Sequence, residues 1–127
     1  MNEDDIGTLI VKTAIAIHKQ LGPGLLETVY EVVLAKELGN QNPKIERQVP
    51  VSIKYGDAEF EEGFRADIIV ERKVILELKS VEAVSNVHKK QLLTYLGLTG
   101  MKVGYLLNFG EELMRTGITR TINGFIN

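Results

Sequence analysis

The stretch that decides the fold is residues 65–79, which read RADIIVERKVILELK. Two apolar runs flank a short polar turn at residues 71–73, and a connection this tight indicates an antiparallel β-hairpin. Side chains alternate between the two faces of a strand, so Glu77 and Lys79 share a face and lie about 7 Å apart along it. The opposite face of that strand is apolar and carries Val74, Leu76 and Leu78.

Asp67 interrupts the first apolar run as Glu77 interrupts the second. Both residues lie five positions from Arg72 in the turn, so antiparallel pairing can place the two carboxylates side by side. Like charges opposite each other destabilise a sheet unless a cation neutralises them, and carboxylate oxygens suit Mg²⁺ or Mn²⁺. The hairpin alone leaves a second interpretation open, in which these residues form a solvated strand edge or a surface ion pair.

The apolar pattern changes period along the chain. Helical spacing predicts helices over residues 4–21, 26–38 and about 84–98. Alternation and turn residues predict strands over residues 45–53, 60–70, 74–79 and 102–108, with a weaker fifth strand at 118–122. This order predicts an α/β (α+β) fold in which helices pack on a central mixed sheet, in a single domain over residues 1–127.

The last predicted helix carries polar side chains within an apolar stripe. The stripe consists of Val84, Val87, His88, Gln91, Tyr95 and Leu98. A buried Gln needs hydrogen-bond partners, which a polar site on the adjacent sheet would supply. Alternatively, Gln91 caps a strand end or binds a water, His88 is a hydrogen-bonded packing residue, and Tyr95 belongs to the core. Glu27, at the start of the second helix, is by itself an acidic residue favoured by the helix dipole.

The composition excludes several classes of protein. The chain has 127 residues, 44% of them apolar and 25% charged, and no Cys, so disulfides and thiolate chemistry are excluded. The acidic N-terminus does not resemble a signal peptide, and no apolar stretch approaches the roughly 20 residues that span a bilayer. These features predict a cytoplasmic protein without a membrane partner. The net charge of −2 argues against a non-specific DNA coat but not against an enzyme with an acidic metal site.

Several short motifs together resemble a known family. Residues 24–30 read GLLETVY, residues 64–67 read FRAD, residues 77–79 read ELK, and residues 103–110 read VGYLLNFG. With residues 46–50 (ERQVP) and the His88-to-Leu96 segment, the chain resembles the GxxExxY proteins, a branch of the PD-(D/E)XK nuclease superfamily. The resemblance covers residues 6–110. One departure is Ala66, which stands where the superfamily's name has Pro.

The resemblance implies a restriction-endonuclease-like core of α-β-β-β-α-β order. It implies that Asp67 and Glu77 hold a divalent metal, that Lys79 orients or activates the attacking water, and that Glu27 joins the metal site. It also implies that Gln91 completes the site. Four further residues lie in or beside these motifs and are accessory candidates: Tyr30, Arg65, His88 and Tyr95.

The resulting hypothesis is a Mg²⁺- or Mn²⁺-dependent nuclease that hydrolyses phosphodiester bonds in nucleic acid. Exposed lysines are candidates for contacts with the phosphate backbone, namely Lys12, Lys19, Lys89 and Lys90. The chain has no extra domain for sequence recognition, so a DNA-cutting enzyme would need a homodimer, a partner, or a structure-specific or end-specific substrate. Two alternatives stay open: a catalytically silent module that binds nucleic acid or a protein, and a buried ion network without a ligand.

Overall fold

The computed structural model describes residues 1–124. The helices are α1 (Glu3–Leu21), α2 (Glu27–Gly39) and α3 (Asn86–Thr99), with a short 3₁₀ helix at Met114–Thr116. The strands are β1 (Ile45–Tyr55), β2 (Ala58–Val70), β3 (Val74–Lys79), β4 (Val103–Asn108) and β5 (Ile118–Ile122). Every helix and strand predicted from the sequence is confirmed, and no bound differs by more than two residues. No helix in residues 1–124 combines the length and apolarity needed to cross a bilayer.

The strands form one mixed sheet in the order β1-β2-β3-β4-β5. β1, β2 and β3 are successive antiparallel neighbours, β3 and β4 run parallel, and β5 returns antiparallel to β4. A parallel pair needs a crossover connection, and α3 provides it. The predicted α-β-β-β-α-β order with a central mixed sheet is therefore confirmed.

Helices cover both faces of this sheet. α1 and α2 pack on one face, where their buried apolar side chains meet Val74, Leu76 and Leu78 of β3. α3 packs on the other face, against a smaller cluster that includes Ile75 and Ile69. At the carboxyl end of β3, one face is apolar and the other carries charged groups, as predicted. Nearer its start, Ile75 makes the second face apolar as well and packs in the cluster under α3.

The tight turn between β2 and β3 fixes the register of the hairpin. Glu71 and Arg72 both have φ of 54°, as the two central residues of a type I′ turn require. Neither is Gly or Asn, and each is held by the neighbouring strand. Glu71 exchanges backbone and side-chain hydrogen bonds with Lys44, and Arg72 forms an ion pair of 2.7 Å with Glu46. A one-residue slip would turn every side chain to the wrong face, so this turn decides which residues meet.

The face of α3 that packs on the sheet differs from the predicted stripe. Leu92, Tyr95 and Leu96 are buried, whereas Val87 is 71% exposed and Leu98 is 42% exposed. The helix is rotated by about one residue step, because this orientation buries two Leu side chains and leaves Gln91 at the border of the core. The predicted stripe was therefore wrong in detail, although Tyr95 belongs to both.

Candidate metal centre

Asp67 and Glu77 lie side by side on neighbouring strands, as the hairpin pattern predicted. β2 and β3 pair through Ile68 and Leu76, and the same register one residue further sets Asp67 opposite Glu77. The backbone N–H of Leu78 donates to Asp67 Oδ2 at 2.8 Å, and the N–H of Asp67 donates to Glu77 Oε1 at 3.4 Å. The two carboxyl groups also lie within hydrogen-bonding reach of each other.

Burial makes this carboxyl pair electrostatically unusual. Glu77 is only 7% exposed, and burial, followed by the negative charge of Asp67, raises its pKa to about 9. Burial also raises the pKa of Asp67, although the hydrogen bond from the Leu78 N–H opposes this rise. Near neutral pH the pair would therefore share a proton if no cation were present. A divalent cation that replaces the proton would satisfy both carboxylates, so the donor set fits Mg²⁺ or Mn²⁺.

Lys79 brings the positive charge of the constellation. It is half-buried on the same face as Glu77, and its charge acts to lower the pKa of both carboxyl groups. Its ammonium forms no ion pair of 4.0 Å or less with any residue in the range 1–124. The Lys79 ammonium is therefore close enough to influence the carboxyl pair while its hydrogen-bond donors stay available to another group.

A third carboxylate near this pair belongs to Glu31, which the sequence reasoning missed. Glu31 is 6% exposed on the inner face of α2, and its negative charge contributes to the raised pKa of Asp67. Arg47 donates to Glu31 Oε2 from Nε at 3.1 Å and from Nη2 at 2.7 Å, and Gln48 Nε2 donates to Oε1 at 2.7 Å. Both carboxylate oxygens of Glu31 thus accept hydrogen bonds, those from Arg47 being charge-assisted, and these contacts hold the carboxylate in one orientation.

The backbone bends at Gln48, beside Asp67. Gln48 has φ of 52°, a conformation that is unfavourable for a residue other than Gly and that often marks functional sites. Arg47 pairs with Ile68 and Val49 pairs with Ala66, so this bend falls opposite Asp67. Arg65, which is exposed, donates to the carbonyl of Gln48 at 3.2 Å and so helps to hold the bend.

Comparison with known proteins gives one match. A family model described as the PD-(D/E)XK nuclease superfamily matches residues 4–121. The chain belongs to this superfamily. No match was found among curated proteins or among solved structures. PD-(D/E)XK proteins are generally nucleases that use divalent metals, so membership supports a nuclease-like role for this chain.

The residues that name the PD-(D/E)XK superfamily come together in this chain, apart from the Pro. Asp67, Glu77 and Lys79 meet at the carboxyl end of β3, between α2 and α3. Ala66, in the place of the Pro, is fully buried in the cluster under α3. Within residues 1–124, no group of three or more His, Asp or Glu side chains is arranged so that it could hold a metal ion by itself.

The predicted site residue Gln91 and the accessory candidates His88 and Tyr95, all on α3, differ in their positions relative to this PD-(D/E)XK centre. Tyr95 lies near the carboxyl pair, since its pKa is raised to about 12 by burial and by the charges of Glu77 and Asp67. Gln91, one turn earlier on α3, is half-buried, and its side-chain amide forms no hydrogen bond within residues 1–124. His88 instead completes the capping box of α3, because its Nδ1 accepts from the Ser85 N–H at 3.2 Å. The packing role considered for His88 therefore agrees with its contacts.

Tyr30 and Glu27 lie in the first turn of α2, next to the loop between α1 and α2. Tyr30 is fully buried, stacks on Phe109 at 4.3 Å, and donates from its hydroxyl to the Gly22 carbonyl at 2.6 Å. The same hydroxyl accepts from the Leu25 N–H at 3.0 Å, so Tyr30 ties both ends of the loop. Glu27 is exposed at the first turn of α2, and its side chain forms no hydrogen bond to other residues in the range 1–124. Of the three glutamates on α2, Glu27, Glu31 and Glu37, only Glu31 contributes to the raised pKa of Asp67.

A buried Asn fixes the chain immediately after Lys79. The Asn108 side chain accepts from the Val81 N–H at 3.1 Å and donates to the Val81 carbonyl at 3.0 Å. It also accepts from the Gly110 N–H at 3.0 Å, and a Cβ at Gly110 would collide with the Val81 backbone. Asn108 thus continues the β3–β4 pairing beyond the end of the strands and holds the segment that follows Lys79.

Proposed function

We propose that the chain is a metal-dependent nuclease that hydrolyses phosphodiester bonds in nucleic acid. The observation that carries this proposal is the pairing of the half-buried Asp67 with the buried Glu77 beside Lys79. Two adjacent buried carboxylates destabilise a fold unless a proton or a cation neutralises them. A purely structural ion network would be expected to pair the Lys79 ammonium directly, and that ammonium has no such partner among the described residues.

Asp67 and Glu77 would hold a Mg²⁺ or Mn²⁺ ion together with water. When bound, such an ion stabilises negative charge on the phosphoryl oxygens and lowers the pKa of water. Glu31 would supply the third carboxylate, most simply through water, because its own oxygens already accept hydrogen bonds from Arg47 and Gln48. We assign this role to Glu31 rather than to Glu27, since Glu27 is exposed.

Lys79 would act on the attacking water and on the charge of the transition state. Its ammonium would orient the attacking water toward phosphorus and would offset the negative charge that develops in the transition state. Gln91, whose amide is free, would hold a water or a phosphoryl oxygen beside it. Tyr95 would shield this side of the site from solvent, and its raised pKa keeps it as a hydrogen-bond donor rather than a phenolate.

The GxxExxY branch is the part of the superfamily to which we assign the chain. Its name-giving Gly24 has φ of 90°, which favours Gly, and its Tyr30 ties the loop that leads into α2. Ser80, directly after Lys79, donates to the Leu25 carbonyl at 2.6 Å. The motif would therefore support the catalytic strand end by positioning α2, with Glu31 on its inner face.

Cleavage assays on labelled single-stranded, duplex and branched nucleic acids test this proposal, with Mg²⁺ or Mn²⁺ added after chelation. Wild-type protein is expected to cleave at least one of these substrates. Asp67→Ala is expected to remove activity, and Lys79→Ala is expected to lower it by about 10² or more. Matched controls are Asp57→Ala, at the exposed β1–β2 turn, and Lys102→Ala, at the opposite end of the β3–β4 pair.

The outcomes separate the alternatives. Activity that survives both Asp67→Ala and Lys79→Ala would come from a contaminant and would contradict the proposal. Tight binding of nucleic acid without cleavage, in either metal, would favour a catalytically silent module. Loss of activity in the two control variants as well would mean that the substitutions act through folding rather than through the site.

A further inference from the structure

The hairpin between β1 and β2 extends beyond the rest of the sheet as a two-stranded arm. β2 pairs with β3 only through residues 68–70, so residues 52–63, which we call the acidic arm, have no third strand beside them. All residues from 54 to 63 are exposed. An isolated two-stranded ribbon is only marginally stable in water, so packing against a further surface would stabilise the arm.

One face of the acidic arm is apolar. Ile53 pairs with Phe60 and Tyr55 pairs with Ala58, and residues directly opposite each other point to the same face. Tyr55 is 82% exposed and Phe60 is 48% exposed. Exposed aromatic side chains grouped in this way mark sites of protein association.

The charge of the arm excludes one class of partner. Residues 52–63 contain four carboxylates, Asp57, Glu59, Glu61 and Glu62, against one lysine. None of the four takes part in an ion pair of 4.0 Å or less within residues 1–124. A nucleic-acid backbone would be repelled by this density of negative charge, whereas a basic and partly apolar surface would be attracted.

The same chain carries such a surface on α3. The sequence of α3 contains Lys89 and Lys90 and no Asp or Glu. Its outer side also exposes apolar groups, with Val87 71% exposed, Leu93 46% exposed and Leu98 42% exposed. The arm of the same molecule does not cover this outer side. Phe64, the residue directly after the arm, packs on Tyr95 at the inner side of α3, with the ring centroids 4.6 Å apart.

We propose that two copies of the chain associate by exchanging arms, so that the acidic arm of each copy docks on the outer face of α3 of the other. The contact is isologous, because arm meets helix twice around a two-fold axis, and it closes after two copies. Acidic groups accompany the exposed Tyr55 and Phe60 on the arm, and basic groups accompany the exposed Leu93 and Leu98 on α3, so the two surfaces combine apolar groups with opposite charges. The contact would also remove the exposed apolar face of the arm from water.

Charge reversal tests this geometry without any need for catalysis. Molar mass is measured by light scattering after gel filtration, over the micromolar range and at low salt. The arm variant is Glu61→Lys with Glu62→Lys, and the helix variant is Lys89→Glu with Lys90→Glu. The wild type is expected to dimerise, and each variant is expected to weaken its own dimer by at least about tenfold.

Mixing the two variants gives the decisive result. The arm variant has two basic surfaces and the helix variant has two acidic ones, so each repels itself while the pair attracts at both contacts. An equimolar mixture is therefore expected to form a heterodimer. The matched control is Lys12→Glu with Lys19→Glu on α1, which lies on the opposite face of the sheet and should leave dimerisation unchanged.

Three results would overturn the proposal. A wild-type chain that stays monomeric across the range has no such interface. A dimer that persists in both variants uses another surface. A mixture that stays monomeric shows that the variants acted through net charge alone. Circular dichroism of each variant, unchanged from that of the wild type, ensures that loss of the dimer is not loss of the fold.

Discussion

Replacing Glu77 with Gln should remove a pH dependence of stability that the buried carboxyl pair creates. The folded chain raises the pKa of Glu77 from 4.5 to about 9, so the folded protein keeps a proton that the unfolded chain has lost. The protonated group therefore contributes stability that is fully present below pH 4.5 and is lost as the pH rises toward about 9. Gln cannot ionise, and it keeps an oxygen that can accept from the Asp67 N–H.

The size of the effect follows from the proton balance. While the folded chain is protonated and the unfolded chain is not, the free energy of unfolding falls by about 1.4 kcal/mol per pH unit. Between about pH 5.5 and about pH 7.5 the metal-free wild type should lose up to about 3 kcal/mol more than Glu77→Gln. For a chain of this size, that loss corresponds to a difference in Tm of roughly 10 °C.

Urea unfolding at several pH values, with a chelator present, measures this difference. Saturating Mg²⁺ should flatten the wild-type curve, because the cation favours the ionised pair, and should leave Glu77→Gln nearly unchanged. The reasoning would be refuted if wild type and Glu77→Gln lost stability in parallel between these pH values. A wild type that gained stability relative to Glu77→Gln as the pH rises would refute it more strongly.

Three further substitutions test the groups around the site. Tyr30→Phe removes the hydroxyl that ties the α1–α2 loop and should lower the free energy of unfolding by about 1–3 kcal/mol in urea titrations, whereas an unchanged value would mean that water replaces it. Asn108→Leu leaves the Val81 backbone without its partners, so it should destabilise the fold by about 2 kcal/mol or more and lower cleavage per folded molecule. Glu31→Gln should weaken Mn²⁺ binding by about tenfold, measured calorimetrically, and unaltered affinity would remove Glu31 from the metal site.

The hairpin that carries the centre was predictable because its register depends on local features. A strand period of two and a three-residue turn leave one alignment that keeps the apolar faces inward, and this alignment sets Asp67 opposite Glu77. Neither Glu71 nor Arg72 is the Gly or Asn that usually marks such a turn, but the length of the turn was sufficient to predict the hairpin. The burial of the pair, which raises both pKa values, follows from α2 and α3 closing over the strand end.

Glu31 was missed, although the sequence contains a signal for it. Glu31 lies three, four and seven positions before Leu34, Ala35 and Leu38, which are all buried, so it belongs to the inner stripe of α2. The spacing of apolar residues alone favours a stripe through Leu26 and Val33 instead, but Leu26 is 77% exposed.

The remaining features depend on tertiary packing that no local pattern encodes. The rotation of α3 is decided by how Leu92 and Leu96 fit the sheet, and this rotation places Gln91 at the border of the core. The bend at Gln48 exists because Glu31 and Arg65, distant in sequence, hold its side chain and its carbonyl.

Titration calorimetry with Mn²⁺ on the metal-free protein at neutral pH tests the central claim most directly. The account expects one Mn²⁺ per chain, with a proton released as Glu77 ionises, so the apparent heat should change with the ionisation enthalpy of the buffer. Asp67→Asn should abolish this binding, while Asp57→Asn, at the exposed turn of the arm, should not affect it. Absence of specific binding, or binding that survives Asp67→Asn, would contradict a metal centre at this pair of strands.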